Sequence, residues 1–200
     1  MMVKKKSMQT VCANNLRQIN LAITMYTGDF SGWLNYRPNP ITASQSYYWS
    51  WVMYKNEYVR KPDIYGCPAA LLYEYNPATP VYYENSAAYN YSVYGINAYF
   101  VWDTVSIPVC RVTTTRQPSK TVMGADSRRD RVANPTSFIG SWFLTWWAAN
   151  PIGLNGALDD RHNNSTNILY VDGHIGATVS AMQVLQVSNN GANFDPNKSF

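Results

Sequence analysis

The first thirty residues carry an apolar stripe at helical spacing, and no other feature of the chain constrains its fold as strongly. Apolar side chains recur at steps of four, three, four, three and four residues, at Cys12, Leu16, Ile19, Ile23, Tyr26 and Phe30. This period predicts an amphipathic helix over residues 4–30 that buries one face. Gly28 and Ser31–Gly32 supply its end. Because a one-sided helix must cover its apolar face, the rest of the chain has to provide a packing partner.

The composition is that of a globular domain and narrows the range of partners. A length of 200 residues fits one domain, and 46% hydrophobic against 14% charged residues excludes a disordered chain. The net charge of +4 comes partly from Lys4–Lys6, and no broad basic face with interleaved aromatic rings accompanies it. We therefore expect no nucleic-acid partner. No apolar run approaches the roughly 20 residues that cross a bilayer, so the chain as written is expected to be soluble.

The remaining chain divides into three parts within one domain. Residues 33–118 are rich in aromatic residues and proline and predict an irregular insertion, with one short helix near Tyr48–Tyr58. Residues 119–187 predict a sheet, and residues 188–200 predict a polar tail. The sheet is expected to contain the strands Thr121–Ala125, Asn167–Val171 and Ile175–Val179. Asp172–Gly173 lies between the last two strands and predicts a two-residue hairpin turn.

Three separated segments of the sequence together carry a family resemblance. The first runs from Cys12 to Ile19 and continues to the helix end at Asp29–Gly32, and the second is Cys67–Pro68. The third is His162, followed by nine residues and then by Asp172–Gly173–His174. With these segments the chain resembles bacterial proteins that have a prepilin-type amino-terminal cleavage and methylation segment and a carboxy-terminal H-x9-DG motif.

The resemblance implies an α+β, pilin-like fold, in which a truncated amino-terminal helix packs on a small antiparallel sheet with a long loop-rich insertion. It also implies a structural subunit of a type II secretion pseudopilus or a type IV pilus-like filament, which acts by assembly and is not an enzyme. Its partners would be other pilin-like subunits and the secretion or pilus assembly proteins. Such a protein belongs to the cell envelope, anchored in the inner membrane, with its globular domain periplasmic or extracellular. The membrane half of the helix and the prepilin-peptidase site are missing here, so we expect a soluble piece of a longer, membrane-anchored protein.

The three cysteines leave two interpretations open. No two of Cys12, Cys67 and Cys110 form a Cys-x-x-Cys pair, which excludes a zinc knuckle or a thioredoxin-type motif on spacing. In a cytosolic protein all three would be small buried side chains. If the domain lies outside the cytoplasm, Cys12 and Cys67 can form a disulfide that leaves Cys110 unpaired.

The carboxy-terminal motif contains both histidines of the chain and the best candidates for a metal site. His162, Asp172 and His174 offer imidazole and carboxylate ligands for calcium or another divalent metal. Further carboxylates are candidate additions to this set: Asp126, Asp159 and Asp160. The interpretation that we prefer is structural and needs no cofactor. In it, His162 forms a hydrogen bond with the Asp172 carboxylate or with the backbone of the hairpin, and Asp172 serves the turn.

Two other functions are alternatives to a filament subunit. A glycan-binding module would stack tryptophan rings on the sugars of a polysaccharide. The chain offers these tryptophans for such a surface or, on the other interpretation, for its core: Trp33, Trp49, Trp51, Trp142, Trp146 and Trp147. A metal-dependent hydrolase or a Cys–His enzyme is less well supported. The chain has no nucleophile elbow, phosphate loop or His-Glu-x-x-His motif, and no carboxylate pair stands out by its spacing.

Overall fold

A long helix and a small sheet form the part of the chain that the structure, a computed structural model, describes. The described residues are 2–34, 49–69, 92–101, 110–128, 143–144, 157–178 and 195–197. The helices are α1 (Met2–Asp29), α2 (Trp49–Lys55) and α3 (Ala98–Val101), with 3-10 turns at Pro62–Tyr65 and Val112–Thr114. The strands are β1 (Tyr94–Asn97), β2 (Val122–Arg128), β3 (Phe143–Leu144), β4 (Ala157–Leu158), β5 (Thr166–Tyr170) and β6 (Ile175–Thr178).

The main sheet is antiparallel, with its strands in the order β1, β2, β5 and β6. Two short strands extend it: β3 pairs with β1 in parallel, and β4 pairs with the carboxyl end of β2. The predicted strands are confirmed as β2, β5 and β6, with shifts of a few residues at their ends. The fourth strand, β1, comes from the region predicted to be an irregular insertion, in a tract whose composition suits loops and edge strands. All four of its residues are buried, so it lacks the alternating pattern that identifies a half-exposed strand.

Helix α1 covers one face of this sheet and confirms the α+β prediction. The stripe residues from Cys12 to Tyr26 are all buried, and Phe30 packs against the same core. The helix contacts β5 and β6 and the 3-10 turn at Pro62–Tyr65. It ends where Ser31 and Gly32 take left-handed backbone angles, with φ of 53° and 87°, and Gly32 N donates to Thr27 O. Within the described residues, none of the helices is long and apolar enough to cross a membrane.

Apolar side chains form a core on each face of the sheet. On the helix side, Met123 and Leu169 pack with the α1 stripe, and Trp49, Val52 and Met53 of α2 complete this core. The opposite face has a smaller core of Val122, Ala125, Leu144, Leu158 and Ile168. Successive side chains of a strand point to opposite faces, so Asp126, which follows Ala125 in β2, lies on the helix side beneath α1.

Candidate functional site

The hairpin between β5 and β6 is one residue longer than predicted. Gly173 N donates to Tyr170 O at 2.9 Å, and Tyr170 N donates to His174 O at 3.0 Å, which leaves a loop of Val171, Asp172 and Gly173. Gly173 has a φ of 91°, as expected for the last residue of a three-residue hairpin loop. The two-residue prediction is wrong because Val171 N leaves the β5–β6 ladder and donates to Thr121 O at 3.0 Å.

The exposed end of the motif carries a histidine whose contacts lie within the hairpin. His174 Nδ1 lies 2.6 Å from Asp172 Oδ1, and the imidazole stacks on Tyr170 with ring centroids 4.2 Å apart. The side chains of His174 and Asp172 are 48% and 35% exposed. His174 N also donates to Asp172 Oδ1, so the carboxylate fixes the turn from both the backbone and the side chain.

His162 lies at the opposite end of β5 from the hairpin. Asn163 and Asn164 both have a φ of 59°, and His162 N donates to Ser165 O at 3.2 Å. This tight reversal keeps His162, which is 3% exposed, beside the start of β5. The predicted hydrogen bond of His162 with the Asp172 carboxylate or with the hairpin backbone is therefore wrong. Asparagine tolerates left-handed angles better than most residues, so the chain turns here without a longer loop.

The buried partners of His162 come from a loop and from the middle strand. Its Nε2 lies 3.5 Å from Cys67 Sγ and 3.4 Å from Asp126 Oδ2. The same Asp126 oxygen accepts a hydrogen bond from Asn167 N at 2.8 Å, which orients the carboxylate. Among the described residues, the metal-binding side chains that converge in a group of three are Cys12, Cys67 and His162, with ligand atoms within 4.8 Å. The predicted set of His162, Asp172 and His174 does not converge.

A disulfide joins Cys12 of α1 to Cys67, and both residues are fully buried. Their Cα atoms lie 5.5 Å apart, within the usual range for a disulfide. Cys110 lies outside this disulfide and is half-buried, and burial raises the pKa of its thiol. The loop before Cys67 is held by Asn15 Nδ2, which donates to Gly66 O at 2.9 Å. The sequence left open whether the cysteines are all reduced or whether Cys12 and Cys67 are bonded, and the structure contains the disulfide.

A buried ion pair lies next to these residues. Arg161 Nη2 is 2.9 Å from Asp159 Oδ2 and also donates to the backbone oxygens of Ser127 and Val93. Three buried polar atoms have no hydrogen-bond partner among the described residues: Asp126 Oδ1, Arg161 Nε and Arg161 Nη1. We use the name buried polar cluster for Cys12, Cys67, Asp126, Asp159, Arg161 and His162. The predicted additions to a metal site were Asp126, Asp159 and Asp160. The first two belong to the buried polar cluster, and Asp160 is half-buried.

Helix α1 reaches this cluster through polar side chains as well as through the disulfide. Gln9 Nε2 donates to Ser165 Oγ at 3.2 Å, and Asn167 Nδ2 donates to Gln9 O at 3.4 Å. Tyr94 OH lies within 3.4 Å of both Asn15 Nδ2 and Gly66 O, and burial raises the pKa of this phenol, with the charge of Asp126 adding to the effect. The sequence gives no local sign of these contacts, because Gln9 and Asn15 flank the apolar stripe of α1 and Asn167 lies in strand β5, far from them in the chain.

Of the two tryptophans whose side chains the structure describes, one is buried and the other is half-buried. Trp49 is buried in the helix-side core, edge-on to Tyr65 with centroids 5.4 Å apart, so its assignment to an exposed surface is wrong. Trp33 is half-buried, and Arg111 Cζ lies over its ring, 5.1 Å from the ring centroid. The remaining candidates, Trp142, Trp146, Trp147 and the side chain of Trp51, lie outside the described residues.

A thiol beside an imidazole that in turn contacts a carboxylate is the arrangement that activates a cysteine nucleophile, and Cys67, His162 and Asp126 have this arrangement. A nucleophile must be a thiolate, however, and Cys67 is bonded to Cys12. In the disulfide form the geometry therefore supports a structural role, in which the cluster ties α1, the Cys67 loop and strands β2 and β5 together. Comparisons of the chain with models of protein families, with curated proteins and with solved structures found no match in any of the three.

Proposed function

We propose that this chain is the globular part of a pilin-like subunit, a building block of a type II secretion pseudopilus or a type IV pilus-like filament in a bacterial cell envelope. It acts by assembly with further subunits and with the proteins that export them. The observation that carries the proposal is the one-sided packing of α1. One face of this helix lies on an antiparallel sheet, and the other face is open along its length.

The open face of α1 provides a surface for helix contacts between subunits. Three large apolar side chains are exposed there: Val11 is 43%, Leu21 62% and Met25 52% exposed. Leu21 and Met25 are one helical turn apart, and each follows a buried stripe residue by two positions, which places them on the side away from the sheet. Exposed apolar residues on a helix are suited to contact a neighbouring helix, since burial there removes their area from water.

The disulfide supports the same proposal. Disulfides persist in oxidising compartments, and the cell envelope outside the cytoplasm is such a compartment. The Cys12–Cys67 bond attaches α1 covalently to the folded domain. In a filament held together by its helices, this bond would carry tension from the helix to the domain without relying on packing alone.

Photo-crosslinking in cells that make the natural full-length protein tests the proposal. Benzoylphenylalanine in place of Leu21 should give a ladder of crosslinked multimers, because this position faces a neighbouring copy. The same probe in place of Ser119, an exposed residue before β2, is the matched control and should give little multimer. Monomer alone from position 21, or equal ladders from both positions, would contradict the proposal. The proposal also expects the gene to encode an apolar segment of about 20 residues behind a short basic leader, upstream of this chain.

A further inference from the structure

Three side chains of the buried polar cluster, Cys12, Cys67 and His162, bring their ligand atoms within 4.8 Å of one another, and Asp126 Oδ2 lies 3.4 Å from His162 Nε2. We propose that the reduced chain binds one Zn²⁺ through Cys12 Sγ, Cys67 Sγ, His162 Nε2 and a carboxylate oxygen of Asp126. The inference does not depend on the filament proposal, because it uses only the arrangement of these four side chains. They come from α1, the loop after Pro62–Tyr65, the turn before β5 and strand β2.

The distances around His162 already match a tetrahedral site. Zinc bonds of about 2.3 Å to sulfur and about 2.0–2.1 Å to nitrogen or oxygen place adjacent N and S ligands about 3.5 Å apart and adjacent N and O ligands about 3.4 Å apart. His162 Nε2 lies 3.5 Å from Cys67 Sγ and 3.4 Å from Asp126 Oδ2. Two thiolate ligands lie about 3.8 Å apart in such a site. Once the S–S bond is broken, rotation about the Cα–Cβ bond of Cys12 can move its sulfur away while Cys67 Sγ stays beside His162.

The carboxylate of Asp126 is suited to be the fourth ligand. Its Oδ1 is buried and has no hydrogen-bond partner among the described residues, while its Oδ2 is oriented by Asn167 N. A backbone donor that holds a ligating carboxylate is the usual support around a metal ligand. The cluster also has two carboxylates, Asp126 and Asp159, against the single guanidinium of Arg161. A divalent cation therefore meets an excess of negative charge in a buried place.

The chemistry of the two forms balances. A phosphine reductant gives two electrons to the disulfide, the sulfurs take up two protons from water, and the phosphine becomes a phosphine oxide with the oxygen of that water. Zn²⁺ then displaces the two thiol protons and binds the thiolates, with His162 as a neutral ligand. In the oxidised chain an S–S bond joins Cys12 to Cys67, and in the reduced chain the metal ion joins them. Spacing gave no sign of this site, because its ligands are isolated residues on four segments.

The test uses the full 200-residue chain with Cys110→Ser, so that two thiols remain. The protein is unfolded, reduced with a phosphine and refolded with Co²⁺ or Zn²⁺ in the presence of the reductant, since the disulfide is buried. We expect one metal per chain, cobalt absorption bands of tetrahedral coordination with thiolate ligands, and a near-ultraviolet circular dichroism spectrum like that of the oxidised protein. A chelator should lower the melting temperature of this reduced form and leave that of the oxidised form unchanged.

Variants identify the nitrogen and oxygen ligands. His162→Ala and Asp126→Asn should each weaken zinc binding by about tenfold or more, whereas the matched control His174→Ala should bind zinc like the parent. Metal binding that is equal in all three variants would mean a simple dithiol complex and would overturn the proposal. A reduced chain that stays unfolded with zinc, or that folds without binding it, would overturn it too. None of these outcomes depends on filament assembly, so failure here leaves the proposed function standing.

Discussion

The two ends of strand β5 carry the same pair of residue types in opposite surroundings. At the hairpin, His174 contacts Asp172 at 2.6 Å, and both side chains are largely exposed. At the other end, His162 contacts Asp126 at 3.4 Å, and both side chains are buried beneath α1. The shorter contact is the one in water. Because solvent screens charges and competes for hydrogen bonds, we expect the longer, buried contact to contribute more to stability.

The motif from His162 to His174 therefore joins two sites of different kinds. The Asp172–Gly173–His174 end makes a turn, and its residues are explained by the loop that they close. The His162 end is a junction where α1, the Cys67 loop and two strands meet. Of these two ends, the His162 end is the buried one, and the zinc site proposed above lies there.

The largest expected difference between the two ends comes from the disulfide, which closes the buried end. Replacing both Cys12 and Cys67 by alanine should lower the free energy of unfolding by about 4 kcal/mol, because the bond spans 55 residues and its loss restores entropy to the unfolded chain. Urea unfolding of the oxidised protein measures this loss. Cys110→Ala, at the cysteine outside the disulfide, is the control and should cost less than about 1 kcal/mol. A double variant within about 1 kcal/mol of the parent would contradict the account.

The next largest effect should come from the buried ion pair. Arg161→Met leaves the Asp159 carboxylate buried without its guanidinium and should cost about 3 kcal/mol. Arg60→Met removes one side of an exposed pair with Glu57 and should cost less than about 1 kcal/mol. Thermal and urea unfolding of both variants give the comparison directly. Similar losses at the two arginines would show that burial does not strengthen the Arg161 pair.

A glycine of the hairpin loop provides a smaller effect, with a glycine of α1 as its control. Gly173→Ala should cost about 1–2 kcal/mol, because φ is 91° there and the new Cβ would lie 2.6 Å from Asn20 Nδ2. Gly28→Ala is the matched substitution in α1, where no atom lies within 4 Å of the added Cβ. It should raise stability by about 0.5 kcal/mol, since alanine favours a helix. If Gly173→Ala proved harmless, the three-residue hairpin loop would be wrong.

The smallest effect concerns a third, exposed polar pair, whose contribution to stability changes with pH only above about pH 10. Tyr58 OH donates to Asp29 Oδ2 at 2.5 Å, and this hydrogen bond raises the pKa of Tyr58 to about 12. Since the phenol of the unfolded chain ionises near pH 10, its contribution is complete below that pH and is lost as the pH rises towards 12. Tyr58→Phe should therefore lose less stability than the parent between pH 10 and 12. Parallel curves from urea unfolding would contradict the raised pKa.

Local patterns in the sequence predicted the parts of the fold that depend on local spacing. The helical period from Cys12 to Phe30 located α1, and runs of β-branched and apolar residues located β2, β5 and β6. Strand β1 was missed because Tyr94–Asn97 lies in a tract of tyrosine and asparagine and is buried on both faces. Such a strand has no alternation to detect.

The candidate site could be predicted only in part, because its contacts join residues far apart in the sequence. His162 and Asp126 were recognised by residue type, but Cys67 is 95 residues from His162, and no spacing rule links them. The pair Asn163–Asn164 was a usable signal: two residues that tolerate left-handed angles indicate a tight turn. That turn places His162 at the start of β5 and away from the hairpin.

Comparing His162→Ala with His174→Ala in the oxidised protein tests whether the buried end of β5 contributes more to stability than the hairpin end. Urea unfolding at neutral pH gives the loss of stability for each variant under the same conditions. We predict that His162→Ala costs about 2–3 kcal/mol, because it leaves the buried Asp126 carboxylate without its imidazole partner. His174→Ala should cost less than about 1 kcal/mol, since its partner remains in water. Equal losses, or a larger loss at His174, would contradict the claim that the buried end of β5 is the site that holds the molecule together.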